Sequence, residues 1–197
     1  QANQANQANQ NTSTLQLTAH EAIRIALGDL NPLVQHIAVR SFSTYPDPLA
    51  KPQLINLLKS EHPEIRREAA TALGRLGDPT AIEHLLGALA NPTDIDRTED
   101  HAIIFALIEI DNVSVTRQGL VSDDPDSQRG ALLALDQMTQ AEGGNLTAQD
   151  VLKLVVSRKT RTQLAAAHVF SQHADWASHS VEVIGPLLET AVTSESR

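Results

Sequence analysis

Eight histidines are spread through a chain of 197 residues that contains no cysteine. Any metal or acid–base chemistry must therefore be built from imidazole and carboxylate. A His-Glu pair occurs in that order once, at His20-Glu21. One such pair falls short of the ligand set of a di-iron centre. Glu21 also lies three residues after Thr18, where it completes a capping box. The densest cluster is Asp94, Asp96, Arg97, Glu99, Asp100 and His101. Its two carboxylates one residue apart resemble the start of a calcium loop, but the turn glycine is missing. Glu99 or Asp100 beside His101 has the parts of an acid–base pair. The same acids would also suit the start of a helix, where the dipole favours each by ~0.3–1 kcal/mol. These six residues stand as candidate binding residues. No catalytic or metal-ligating residue is assigned.

Cations recur at one spacing. His36 and Arg67 are 31 residues apart, Arg129 is 62 beyond Arg67, and Arg40 and Arg75 lie near them. A row of this kind could meet the carboxylates of a partner. Pairing within each helix, such as Glu64 with Arg67, is the competing use and stabilises by ~0.2–0.5 kcal/mol a pair. The short basic run Ser157-Arg158-Lys159-Thr160-Arg161 suits a helix end.

The elements that position these residues repeat. NPLVQHIAVRSFSTYPDP (31–48) lies over HPEIRREAATALGRLGDP (62–79) without a gap. The alignment pairs Val34 with Ile65, Ala38 with Ala69 and Phe42 with Leu73, at the spacing of one helix face. Pro32 and Pro63 fall at the first helical position, where proline is welcome. Each unit continues into a second match, DPLAKPQLINLL over DPTAIEHLLGAL. Further on, TEDHAIIFALIEIDN fits at 34 residues and DPDSQRGALLALDQM at 62. LTAHEAIRIAL and LTAQDVLKLVV share a helix start with a Thr cap and an acid three residues on. This predicts five helical pairs, with first helices near 18–28, 49–59, 79–90, 113–121 and 147–158. Second helices follow near 32–45, 63–76, 97–110, 125–139 and 160–173. A closing helix over 177–192 is broken near Gly185-Pro186. Stacked pairs bury a stripe that one pair cannot bury alone. Residues 1–14 repeat Gln-Ala-Asn without an apolar anchor and read as a solvated linker; 15–197 form the repeat domain.

The stretch REAATALGRLGDPTAIEHLLGAL resembles HEAT-like repeats of the phycobilisome-lyase type, carried by Ala69, Ala70, Ala72-Leu73-Gly74, Leu76-Gly77-Asp78, Ala81 and Leu85. The resemblance implies an all-α fold, a right-handed α-solenoid of about five HEAT-like helical pairs plus a C-terminal helix. In solenoids of that class the second helices line the concave face. It therefore implies a concave binding face holding His36, Arg40, Arg67, Arg75 and Arg129. The fold alone does not specify activity. A related class, the deoxyhypusine hydroxylases, holds two irons on His-Glu pairs at repeated positions, which this chain lacks. DRTEDHAIIFALIEID followed by ALLALDQM is similar to the helical segment of planctomycete-type proteins that also carry a propeller and a c-type haem domain. That likeness implies an exported, periplasmic location and a larger parent protein. The chain starts at Gln1 without an initiator Met, which suits a processed or excised piece.

Composition narrows the function. Net charge is −9, and residues 81–126 hold ten acids against two cations, Arg97 and Arg117. Such a field disfavours nucleic acid. Aromatics are 3% of residues, too few for a stacking groove. No apolar run reaches the length of a membrane span. The expectation is a monomeric, non-catalytic interaction scaffold that needs no cofactor and binds a protein segment or a neighbouring domain. The rival is a lyase-type enzyme or chaperone holding a tetrapyrrole or metal cofactor.

Overall fold

The computed structural model describes residues 18–90, 97–138, 146–157 and 159–178. The expected linker over 1–14, the acids Asp94 and Asp96, and the closing helix beyond 178 lie outside these residues. All regular structure among the described residues is helical. Helix α1 covers 18–26. It is followed by α2 (Pro32–Thr44), α3 (Lys51–Leu57), α4 (Pro63–Leu76), α5 (Ile82–Leu89), α6 (Arg97–Ile110), α7 (Val113–Thr116), α8 (Pro125–Gln137), α9 (Ala148–Val155) and α10 (Thr160–Gln172). The even-numbered members are the second helices of five pairs. They pack on one another in sequence, α2 on α4, α4 on α6, α6 on α8 and α8 on α10. The result is an α-solenoid.

Local chemistry sets the helix ends. Proline opens α2, α4 and α8, and Asn31 and Asp124 cap α2 and α8 through their side chains. Gly77 closes α4 at φ 70°, a left-handed conformation that costs a glycine nothing. Its N–H reaches the Leu73 and Gly74 carbonyls. Thr147 and Asp150 form a reciprocal capping box at the start of α9. The first helices are shorter than expected because two of them begin as 3-10 turns. Asp47 and Asp78 each accept the N–H two residues on, which winds Pro48–Ala50 and Pro79–Ala81 tightly before the α-helix begins.

The fourth first helix departs most. It stays α-helical for four residues and continues as a 3-10 segment, Arg117–Val121. Gly119 lies so close to its neighbours that a Cβ there would come 2.7 Å from Ala131 Cβ and 2.9 Å from Leu86 Cδ1.

The buried stripe follows the repeat. Ile65, Ala69 and Leu73 of α4 are fully enclosed, as are Ile103 and Ala106 of α6 and Ala131 and Ala134 of α8. Val34, expected on that stripe, is only partly covered. It belongs to the first repeat, and no described element precedes α1 to close over it.

Two helical glycines should respond oppositely to the same change. A Cβ at Gly74 would meet Ala106 Cα at 2.8 Å, a backbone atom that cannot turn aside. Gly74→Ala is expected to destabilise by about 1–3 kcal/mol through overpacking between α4 and α6. A Cβ at Gly87 meets nothing within 4 Å. Gly87→Ala is expected to stabilise by up to about 1 kcal/mol through helix propensity alone. Urea unfolding midpoints of the two variants check both signs.

Candidate interaction surface

The junctions between first helices share one device. An acid at the start of a first helix caps that helix and also takes a cation from the preceding repeat. Asp47 accepts the Leu49 N–H at 2.9 Å through Oδ1 and the Arg24 guanidinium through Oδ2. Asp78 accepts the Thr80 N–H and hydroxyl through Oδ1, at 2.9 and 2.7 Å, and Lys51 Nζ through Oδ2 at 2.5 Å. Asp150 accepts the Thr147 N–H and hydroxyl at 3.1 and 2.7 Å and the Arg117 guanidinium. Lys51, above all, with help from Thr80, lowers the Asp78 pKa from 3.8 to about 2. At Asp150 burial pushes upward, but the Thr147 bonds and Arg117 outweigh it and the net shift is downward. Sequence reasoning missed this arrangement. The signal available was the Asp-Pro dipeptide recurring at 31 residues, with a cation in the helix before each.

The second helices carry the stronger pairs. Arg66 of α4 grips Glu99 of α6 with two parallel bonds, both 2.7 Å, and also donates to the Ser60 carbonyl at 2.9 Å. Arg129 of α8 pairs with Asp100 of α6 and, more loosely, with Asp126 at 3.4 Å. Arg161 of α10 approaches both of those acids at 3.7 Å. The first turn of α6 is thus held from two sides, Glu99 by the repeat before it and Asp100 by the repeat after it.

This places the expected residues differently from the picture of an open cationic row above an open acidic loop. Arg129 is buried and turned inward, so it is not accessible to a partner. Glu99 is likewise buried, and its carboxylate is taken by Arg66. Asp100 is occupied by Arg129, because both acids face helix–helix junctions rather than solvent. Arg97 and His101 are exposed. Arg75 does not pair along its own helix but crosses to Glu109 of α6 at 2.9 Å. Glu64 approaches His62 at 3.8 Å rather than Arg67.

What stays open is narrower. His36 is half-buried with Nε2 4.0 Å from Glu68. Arg67 is half-buried and Arg40 exposed, and among the described residues no carboxylate pairs with either. At the spacing of 34 that relates α4 to α6, His101 falls at the position of Arg67. One register on four successively packed helices therefore reads His36, Arg67, His101, Arg129. His101 stacks on Phe105, centroids 6.3 Å apart, and Phe105 is itself exposed. Among the described residues no group of three or more His, Asp or Glu could hold a metal ion, and no helix is long and apolar enough to cross a membrane.

Two measurements test the junction chemistry. The Asp78 pKa is depressed in the folded chain, so its contribution is present above pH 3.8 and is lost as pH falls towards about 2. Asp78→Asn is expected to flatten the loss of stability across that interval, read from thermal midpoints at a series of pH values. Removing one member of the buried Arg66–Glu99 pair leaves the other charge uncompensated. Glu99→Ala is expected to cost about 3–5 kcal/mol, whereas replacing both residues by apolar ones of similar size costs less. Urea denaturation of the single and double variants distinguishes the two.

Residues 21–108 match the family of HEAT repeats. No curated protein matches the chain. Among solved structures, it is similar to the complex of CpcE and CpcF of phycocyanin lyase from Nostoc sp. PCC7120, at 22% identity over 85% of this chain and 68% of that one, with a TM-score of 0.46. It is also similar to an engineered protein, at 20% identity over 81% of each chain, with a TM-score of 0.44. The chain is therefore an all-helical solenoid with HEAT repeats over residues 21–108.

Proposed function

We propose that this chain is a non-catalytic interaction scaffold whose second helices present a cationic register to an acidic protein segment or a neighbouring domain. One observation carries the reading. His36, Arg67 and His101 hold the same repeat position on α2, α4 and α6, and Arg67 and Arg40 have no carboxylate partner among the described residues. The other cations of the second helices, Arg66, Arg75 and Arg129, are committed to junctions within the molecule. A half-buried guanidinium without a carboxylate suits bidentate recognition of Asp or Glu on a partner. Phe105 beside His101 adds an apolar anchor of the kind that dominates interface energetics.

The rival is a lyase-type enzyme or chaperone holding a tetrapyrrole or a metal. A tetrapyrrole favours an enclosed pocket with aromatic lining. Two grooves beside the first helices, ≈ 410 and ≈ 460 Å³, carry no aromatic side chain in their walls. This supports the scaffold reading. The narrower likeness to planctomycete-type multidomain proteins, with its exported location, belongs to the same proposal. Finding a CxxCH motif or propeller repeats in the full-length gene would bear it out.

The test is a fluorescence-anisotropy screen of labelled Asp/Glu-rich peptides. At least one peptide is expected to bind, and Arg40→Glu with Arg67→Glu should weaken it by about tenfold or more. Thermal midpoints of the variant should stay unchanged. Equal binding by the variant, or no binding by any acidic peptide, would sink the proposal.

A further inference from the structure

Two positions of each second helix look back at the repeat before it. At the first, Glu99 of α6 takes Arg66 of α4, and the Ser127 hydroxyl of α8 donates to the Leu86 carbonyl of α5 at 2.9 Å. Ile65 is the equivalent in α4. At the second, Glu68 of α4 stands 4.0 Å from His36 of α2, and a Cβ at Gly130 of α8 would come 2.1 Å from Leu89 Cδ1 of α5. In α2 these two positions are Val34 and Ile37. Ile65, Glu99 and Ser127 are 0%, 2% and 4% exposed, whereas Val34 is 37% and Ile37 59% exposed. With Ala22, Ile23 and Ala26 of α1 they line a shallow groove of ≈ 290 Å³ in which no side chain is charged. Leu33 stands exposed beside Val34. A terminal repeat ordinarily turns a polar face outward to stay soluble. This one turns an apolar face outward at the two positions where its successors are mostly polar and always covered.

We propose that a second copy of this chain covers that face, α1 and α2 packing against α1 and α2 across a two-fold axis. The internal junctions are heterologous, each joining a cation to an acid. Such a face set against its own copy would oppose like charges. A two-fold contact asks every residue to tolerate its own kind nearby, and Val34, Ile37 and the alanines do. The chain carries a net charge of −9, so two copies repel generally and meet most readily at an uncharged face. The contact extends the helix-on-helix stack by one more pair and replaces the expected monomer by a dimer.

Sedimentation velocity of the full chain from about 1 µM to about 1 mM tests this. The wild type is expected to shift from monomer to dimer within that range. Ile37→Glu should remain monomeric throughout with an unchanged helical spectrum, and Val121→Glu, at an exposed site on the 3-10 segment after α7, should still dimerise. A second variant guards against misfolding. The chain has no cysteine, so Ile37→Cys should form a disulfide-linked dimer on mild oxidation, whereas Val121→Cys should not. A wild type that is monomeric at about 1 mM overturns the proposal, and so does a dimer that survives Ile37→Glu.

Discussion

A carboxylate shared between two repeats is the interaction on which the outer layer of this molecule depends. Asp47, Asp78 and Asp150 each begin a helix, and each one's second task is to hold a cation one repeat earlier. A cap alone fixes a helix end, and an exposed ion pair alone contributes little. Joined in one side chain, they make the start of each helix conditional on the repeat before it. Nearest-neighbour coupling of this kind is what lets a linear array behave as one folding unit.

The inner layer uses the same logic with less solvent. Packing between second helices is close enough that Gly74 and Gly130 leave no room for a side chain. Arg66–Glu99 and Arg129–Asp100 then span the junctions on either side of α6. Close backbone approach makes the apolar part of the seam nearly featureless, since alanine meets alanine along it. The charged pairs supply the register that such a seam lacks. The same economy limits function. Cations spent on junctions cannot meet a partner, and this is why the candidate surface shrinks to His36, Arg40, Arg67 and His101.

Much of the fold was legible in the sequence because its signals are local. Pro63, Gly77 and the stripe Ile65–Ala69–Leu73 mark α4 to the residue, and α6 likewise runs from Arg97 to Ile110 as its spacing implies. The fourth first helix was not legible, because its 3-10 winding accompanies a close approach of Gly119 to Leu86 and Ala131 that no periodicity records. Val34 fits its stripe as well as Ile65 does, yet a pattern cannot say which unit stands at the end of a stack. The acids at 99 and 100 were visible as a cluster. Their opposite commitments were not, since partners 33 and 29 residues away leave no trace in local spacing.

The unequal burial of the two sets of ion pairs has a mechanical meaning. Lys51–Asp78 and Arg117–Asp150 sit where dissolved ions can reach them, while Arg66–Glu99 and Arg129–Asp100 are largely enclosed. Added salt weakens the former and scarcely touches the latter. One edge of the stack then acts as a fixed spine and the other as a row of adjustable stays. Bending of the array becomes a property that the surrounding electrolyte can tune without melting a single helix.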